Sequence, residues 1–238
     1  MNRINRINSR PLLLLCKSAL IAMMCWCLLL PGYGQTDDKI SLPIKLPRPV
    51  FAGTAANLTA DQLAKIEKPS GKPRPVPLVP KGTANIALHK KVTSSSRPIS
   101  GPLDKITDGN KEATEEAVVE LKTKLQWVQI DLGAASPLFY IAVWHCHSEP
   151  VVFHSVVVQI SNDAEFIDGV TTLFNNDQEN LSGLGIGKDR EYFESSEGKL
   201  IDARGIKARF VRLYSNGSTY RDPLNRYTEV EVYGLPAK

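Results

Sequence analysis

From about residue 83 onward, apolar residues come in short runs: QWVQIDLG, LFYIAVWHC, SVVVQIS, VTTLF, ARFVRLYS and RYTEVEVYG. Each is about five to nine residues long, rich in Val, Ile, Tyr, Phe and Trp, and bounded by Gly, Asn, Asp or Pro. That is the pattern of strands in an all-β sandwich, not of alternating β and α elements. In TEVEVYG the alternation is strict: Val230 and Val232 face one way, Glu229, Glu231 and Tyr233 the other. In KARFVRLYS, Ala208 and Phe210, with Val211 or Leu213, define the buried side while Arg209 and Arg212 reach for solvent. No long helical period competes, and residues 83–238 are enough for one ordinary core.

Upstream the pattern changes. Residues 35–82 carry LPIKLPRPVF and KPSGKPRPVPLVPKG, proline-rich stretches that favour extended backbone and bury little surface. Between them NLTADQLAKIEK predicts one short helix, because Thr59 with Gln62 three residues on forms a capping-box pattern ahead of Leu63 and Ile66. This region reads as a linker arm able to lie against the domain. Residues 1–34 read as a secretory signal peptide: Arg3, Arg6 and Arg10 without an acid, an apolar core over 18–30, then Gly32 and Gly34 before a cut. The apolar core is thirteen residues, short of the roughly 20 that a spanning helix needs, so an uncleaved anchor is the lesser reading.

Removing that leader changes the charge and the cysteine chemistry. Four of the 29 basic residues (Arg3, Arg6, Arg10, Lys17) and none of the 25 acidic ones lie in it, which leaves 25 of each. A chain with no basic excess lacks the electrostatic footprint of a nucleic-acid binder. Cys146 is the one cysteine after the leader, so an exported fold would stand without an internal disulfide. The expected location is secreted, periplasmic or extracellular.

The ordered motifs NIALHKKVTSSS, ITDGN, WVQIDLG, ISNDAEF, ARFVRLYSNGS and YTEVEVYG, spanning roughly residues 85–234, resemble the discoidin or coagulation factor five/eight type C domain. The resemblance implies an antiparallel, galactose-binding-domain-like jelly-roll sandwich. Its relatives, family thirty-two carbohydrate-binding modules among them, bind glycans, phospholipids or proteins through loops at one end and are not catalytic in themselves. They often hold a structural calcium at the Asp-Gly turn, bridged to a glutamate on the last strand. Carried over, the candidates are Asp108 and Asn110, with Thr114, and Glu229; calcium takes six to eight hard oxygens, which such a set can begin to supply. The alternative reading is a plain Asp-Gly turn and a solvated glutamate. The chain departs from the family pattern at His89, where a glycine is common, and at EEAVVE, where many relatives carry an arginine-tryptophan pair.

Three positions remain as candidate chemistry. In AVWHCH an extended strand sends His145 and His147 to one side and Cys146 to the other, so the three cannot converge on one ion. Cys146 reads as a small buried hydrophobe. His145 and His147 read as sugar-hydroxyl partners, as zinc or copper ligands with His154, or as partly exposed hydrogen-bonding groups at a sheet end. The insertion FNNDQENLSGLGIGKDREYFESSEGKL crowds Asn175, Asn176, Asp177, Glu179 and Asn180 together and reads as a recognition loop, a second cation site or surface decoration. In YSNGSTYRDPLNRYTE, Asn216, Tyr220, Arg221 and Asn225 place an aromatic ring beside amide and guanidinium donors, suited to a sugar ring and equally common in a polar turn.

No Gly-x-Ser-x-Gly, His-Glu-x-x-His or Cys-x-x-Cys occurs after the leader, and no pair of carboxylates is singled out for glycoside cleavage. The expectation is a non-catalytic binding module for a carbohydrate or glycoconjugate, with a structural calcium. An adaptor for an envelope protein is the alternative. Phospholipid head groups come third, because Leu181, Leu184 and Ile186 are the only plausible apolar spikes in polar loops.

Overall fold

Eleven strands in antiparallel pairs, one short helix and two 3-10 turns are seen in a computed structural model that describes residues 38–50, 58–220 and 222–237. The leader lies outside the described residues. In chain order the elements are β1 (Lys39–Ser41), α1 (Ala60–Lys65), β2 (Leu78–Pro80), β3 (Ala84–Asn85), β4 (Lys91–Ser94) and β5 (Val119–Leu121). There follow β6 (Gln126–Trp144), β7 (Val157–Ser161), β8 (Thr171–Asn175), β9 (Lys199–Ser215), β10 (Asn225–Tyr227) and β11 (Glu229–Gly234). The fold is all-β, as the short alternating runs predict.

The two long strands organise it. WVQIDLG and LFYIAVWHC, read as separate strands, are one continuous strand, β6, whose pairing with β9 shifts register between Asp131 and Ser136. Residues 128–131 pair with β4 and 126–131 with 210–215 of β9, whereas 138–144 pair with β11 and 138–143 with 199–206 of β9. A strand that bends through such an irregularity serves both layers of a sandwich. The order is β3-β11-β6-β9-β7-β8, with β4 also on β6.

Alternation then sorts the side chains. Ile141 and Val143 enter the main core with Val128, Ile130, Val158, Ile160, Val211, Leu213, Val230 and Val232. Their neighbours Ala142 and Trp144 point the other way, into a second cluster with Tyr233. Phe210 is buried, as expected, at 7% exposed, but it does not join the main cluster with Ala208, Val211 and Leu213 and packs instead under the Arg209 guanidinium, 4.8 Å from its ring centroid. The register break opposite this stretch is what lets Ala208 and Val211 share a face despite their odd spacing.

The second cluster is closed by the arm. β1 and β2 pair, and they bring Leu42 (3% exposed) and Val79 (1%) against Ala142, Trp144 and Tyr233. The predicted helix α1 starts with its capping box formed: Thr59 Oγ1 accepts from Gln62 N–H at 3.2 Å, and Gln62 Oε1 accepts from Thr59 N–H at 2.9 Å. It is tied down by Arg190, which donates to the Ala64 carbonyl at 2.8 Å, and by Glu67 N–H, which donates to the Glu191 carbonyl at 2.8 Å. Farther on, Arg74 donates to the carbonyls of Gly198 at 2.7 Å and Glu197 at 2.8 Å. Gly198 is required there, with φ +60°, because a Cβ would come within 2.6 Å of the Trp144 ring.

The packing of the arm can be measured. Leu42→Ala should lower stability by about 2–4 kcal/mol in urea unfolding, as core truncations do. Leu46→Ala, at a site 50% exposed on the same segment, should stay within about 0.5 kcal/mol of the parent. Equal small effects would show that the arm does not pack on the sheet in solution.

Candidate functional site

A cleft of about 480 Å³ opens where β6 ends. Its walls include the turn before β5 and β5 itself, the segment just after β6, the loop before β10, and β10. Pairing of β5 with β10 sets Glu120 opposite Arg226. Arg226, 5% exposed, donates through Nε to Glu120 Oε1 and through Nη2 to Asp222 Oδ2, each at 2.8 Å, and its guanidinium lies 4.5 Å from the Tyr220 ring centroid. Burial alone would depress the Arg226 pKa, but the bonds to Asp222 and Glu120 outweigh it and raise it, so the group stays cationic. Arg226 lines the cleft, and its third nitrogen, Nη1, is buried with no partner among the described residues.

His147 lines the same cleft at 1% exposed. Its Nε2 lies 2.9 Å from the Lys111 carbonyl, which can only accept, so Nε2 carries the proton and Nδ1 of the neutral ring is an acceptor. Nδ1 is buried and has no partner among the described residues. Two residues of the cleft lining thus carry a buried donor and a buried acceptor without partners among the described residues, beside Tyr220, Ser148, Glu149 and Thr114.

The structure brings His147, Tyr220 and Thr114 to this cleft and places His145, Asn216 and Asn225 elsewhere. Arg221 lies outside the described residues. His145 is fully buried: Nδ1 bonds Glu194 Oε1 at 2.7 Å, and the ring stacks on Phe153 with centroids 4.4 Å apart. It is a core residue, not the ligand contact or half-exposed sheet-end group expected, because Glu194 and the Phe153 and Tyr227 rings enclose it. Asn225, also 0% exposed, donates to the carbonyls of Lys122 and Lys124 and accepts from Gly217 N–H, each at 2.7 Å, so it pins loops. Asn216 is half-buried and bonds the His154 carbonyl through its backbone at 2.8 Å. Arg226 and Glu120 were missed. The available signal was an arginine inside an apolar strand, where a cation needs a carboxylate across the ladder.

The predicted cation residues divide. Asp108 and Asn110 stand exposed on the Asp-Gly turn, where Asp108 Oδ1 accepts from Asn110 N–H at 2.7 Å, whereas Thr114 belongs to the cleft. Glu229 is fully buried, not solvated. Its Oε2 accepts from Gly109 N–H at 3.1 Å, and its Oε1 has no partner among the described residues. Burial first, then the charges of Glu231 and Asp108, push its pKa up to about 9, against the Gly109 N–H and Lys111. Lys111 itself pairs with Glu231, which accepts a 2.5 Å bond from the Tyr233 hydroxyl. A buried carboxylate with a bare oxygen beside a second carboxylate suits a hard cation, so Glu229, Asp108 and the turn fit calcium, while Thr114 does not join them. His145, His147 and His154 do not converge: one ring nitrogen of each bonds a different partner, Glu194, the Lys111 carbonyl and Glu191 in turn.

The long insertion is built around Asp177. This carboxylate, 2% exposed, accepts from Leu181 N–H at 3.0 Å, Ser182 N–H at 2.7 Å and Ser155 Oγ at 3.2 Å. Burial would raise its pKa, but these bonds together hold it below the ordinary value, so it is ionised. The loop is an ordered structure with its own internal polar frame.

No protein-family model matches the chain, and no curated protein matches it. Similar solved structures include a CBM32 module from Clostridium perfringens in complex with GlcNAc-α-1,4-galactose, at 16% identity and TM-score 0.47, covering 65% of this chain and 96% of that one. A fucose-binding module from Streptococcus pneumoniae has 20% identity and TM-score 0.45, covering 65% and 99%. A family 89 glycoside hydrolase from Clostridium perfringens has 18% identity and TM-score 0.47, covering 64% of this chain; the chain spans 15% of the hydrolase.

Glu229 gives the site a pH signature. Its folded pKa lies above the unfolded value, so in chelator its contribution to stability is full below about pH 4.5 and is lost as pH rises toward 9. Glu229→Gln removes that loss. Urea midpoints should show the variant gaining on the parent by on the order of a few kcal/mol between pH 4.5 and pH 8. A constant difference across that range would mean that Glu229 ionises normally.

Proposed function

We propose that the chain is an exported, non-catalytic module that binds carbohydrate in the cleft between β5, β10 and the end of β6. The observation that carries this reading is the pair Arg226 Nη1 and His147 Nδ1. A sugar hydroxyl both donates and accepts, so vicinal hydroxyls satisfy a buried donor and a buried acceptor at once. A buried polar group left without a partner costs about 1–3 kcal/mol, which a hydroxyl-rich ligand recovers on binding. Tyr220 supplies an aromatic surface for a ring, held from behind by the Arg226 guanidinium. The ordered motifs from residue 85 to residue 234 support the same reading. The leader, with a net charge of zero after it, supports export without a nucleic-acid partner.

Calcium is proposed at Glu229 and Asp108 as a structural ion. When bound it would supply a fixed positive charge to a carboxylate that is otherwise protonated at neutral pH. On this chain, Glu229 and the Asp-Gly turn would hold it. Lys111, the third residue after Asp108, keeps its carbonyl on His147.

The test is a glycan array on the full chain, read in calcium and in chelator, followed by calorimetry with the best sugar. Saturable binding is expected, weakened about 10-fold or more by His147→Gln and by Tyr220→Ala. Calcium should raise the unfolding midpoint of the parent and leave Glu229→Gln unmoved. Failure of the array sugars to bind, or binding indifferent to both cleft substitutions, overturns the carbohydrate reading at this site. A midpoint unmoved by calcium in the parent overturns the calcium assignment separately.

A further inference from the structure

A second cleft, of about 210 Å³, lies between α1 and the 176–191 stretch, on different residues from the first. One wall is the arm, so this cleft exists only because α1 docks. We propose that it is a binding site for a small ammonium-bearing polyol, an amino sugar of one ring.

Two independent features carry this. The first is a buried donor. Asn176 is 3% exposed and its Oδ1 accepts from Val156 N–H at 2.6 Å, which fixes how the amide is turned. Asn176 lines the cleft and its Nδ2 has no partner among the described residues, so it calls for an oxygen on the occupant. The second is charge. Asp177, Glu179 and Glu191 line the cleft against one cation, Lys65, which pairs with Glu179 at 2.6 Å. Glu191, with its side chain 13% exposed, accepts from His154 Nδ1 at 2.7 Å. Three carboxylates against one ammonium repel an anionic ligand and attract a cationic one. An acceptor oxygen and a protonated amine on one compact scaffold satisfy both features. The internal bonds of Asp177 hold this wall in shape before any ligand arrives, which lowers the ordering cost of binding.

The site is separate from the first cleft, so the experiment uses the Tyr220→Ala chain, in which that cleft is impaired. Glucosamine, glucose and glucuronate are titrated at low salt, at a pH where the amine is protonated, while the side-chain amide of Asn176 and the backbone amide of Glu191 are followed by NMR. Saturable shifts at both are expected with glucosamine, affinity about 10-fold or more weaker for glucose, and no binding of glucuronate. Glu191→Gln keeps an acceptor for His154 and should weaken glucosamine several-fold while leaving glucose unchanged. Glu179→Gln, on a side chain 60% exposed and no part of the core, should do the same without any question of misfolding. Glucosamine binding that is absent, equal to that of glucose, or unaffected by both substitutions overturns the proposal. Shifts confined to the first cleft overturn it too, and in that case leave the carbohydrate reading standing.

Discussion

Strands β6 and β9 pair along most of their length, and their register decides which side chain reaches which cluster. Because side chains alternate, a slip of one residue would send Ala142 and Trp144 to the main core and Ile141 and Val143 to the arm. The irregularity between Asp131 and Ser136 is held from outside, where Arg209 grips Asp131 with two bonds of 2.7 and 2.8 Å. That bond pulls the Asp131 carboxyl below its ordinary pKa despite partial burial. The end of β6 then delivers its side chains in three directions. Trp144 goes to the arm, His145 to the core and His147 to the cleft.

A polar seam inside the core links these directions. Glu194 enters from the segment that the arm grips, reaches His145 at 2.7 Å, and accepts from His145 N–H at 3.3 Å. The imidazole is held between the Phe153 and Tyr227 rings, and the Tyr227 hydroxyl meets Ser215 Oγ at 3.1 Å. Both partners of the His145–Glu194 bond are fully buried, so neither can be removed without leaving the other polar group stranded in a low-dielectric interior. Arg74 holds Glu197 and Gly198 three and four residues further on. These bonds join the arm to the core, and the described part of the proline-rich segment lies in the same compact unit as the sandwich.

The sequence was informative where a short-range rule decides the outcome. Strict alternation placed Val230 and Val232, and the Thr59–Gln62 spacing marked the start of α1. It was silent where placement depends on distant residues. The first half of β9, over GKLIDARGIK, carries too many polar residues to read as a strand and is held as one by its neighbour β6. Glu229 and Glu231 read as the solvent face of β11, yet both are buried, because the Asp-Gly turn and Lys111 fold over them from 120 residues away. The same long-range closure buries His145 and Asn225, while Arg226 becomes a cleft residue only through Glu120, 106 positions earlier.

Lys111 shows how far such closure reaches. Its ammonium pairs with Glu231 and lies 5.2 Å from the Trp144 ring centroid, while its carbonyl fixes the proton on His147. One residue thus touches a carboxylate of the last strand, the ring that closes the arm cluster and the imidazole that lines the cleft. Glu229 feels the Lys111 charge as a lowering of its pKa, so ionising Glu229 strengthens the hold on Lys111 from the carboxylate side. The backbone of the same residue is what makes His147 Nδ1 an acceptor and not a donor. A single lysine in this way spans from the carboxylates beside the last strand to the imidazole that lines the cleft.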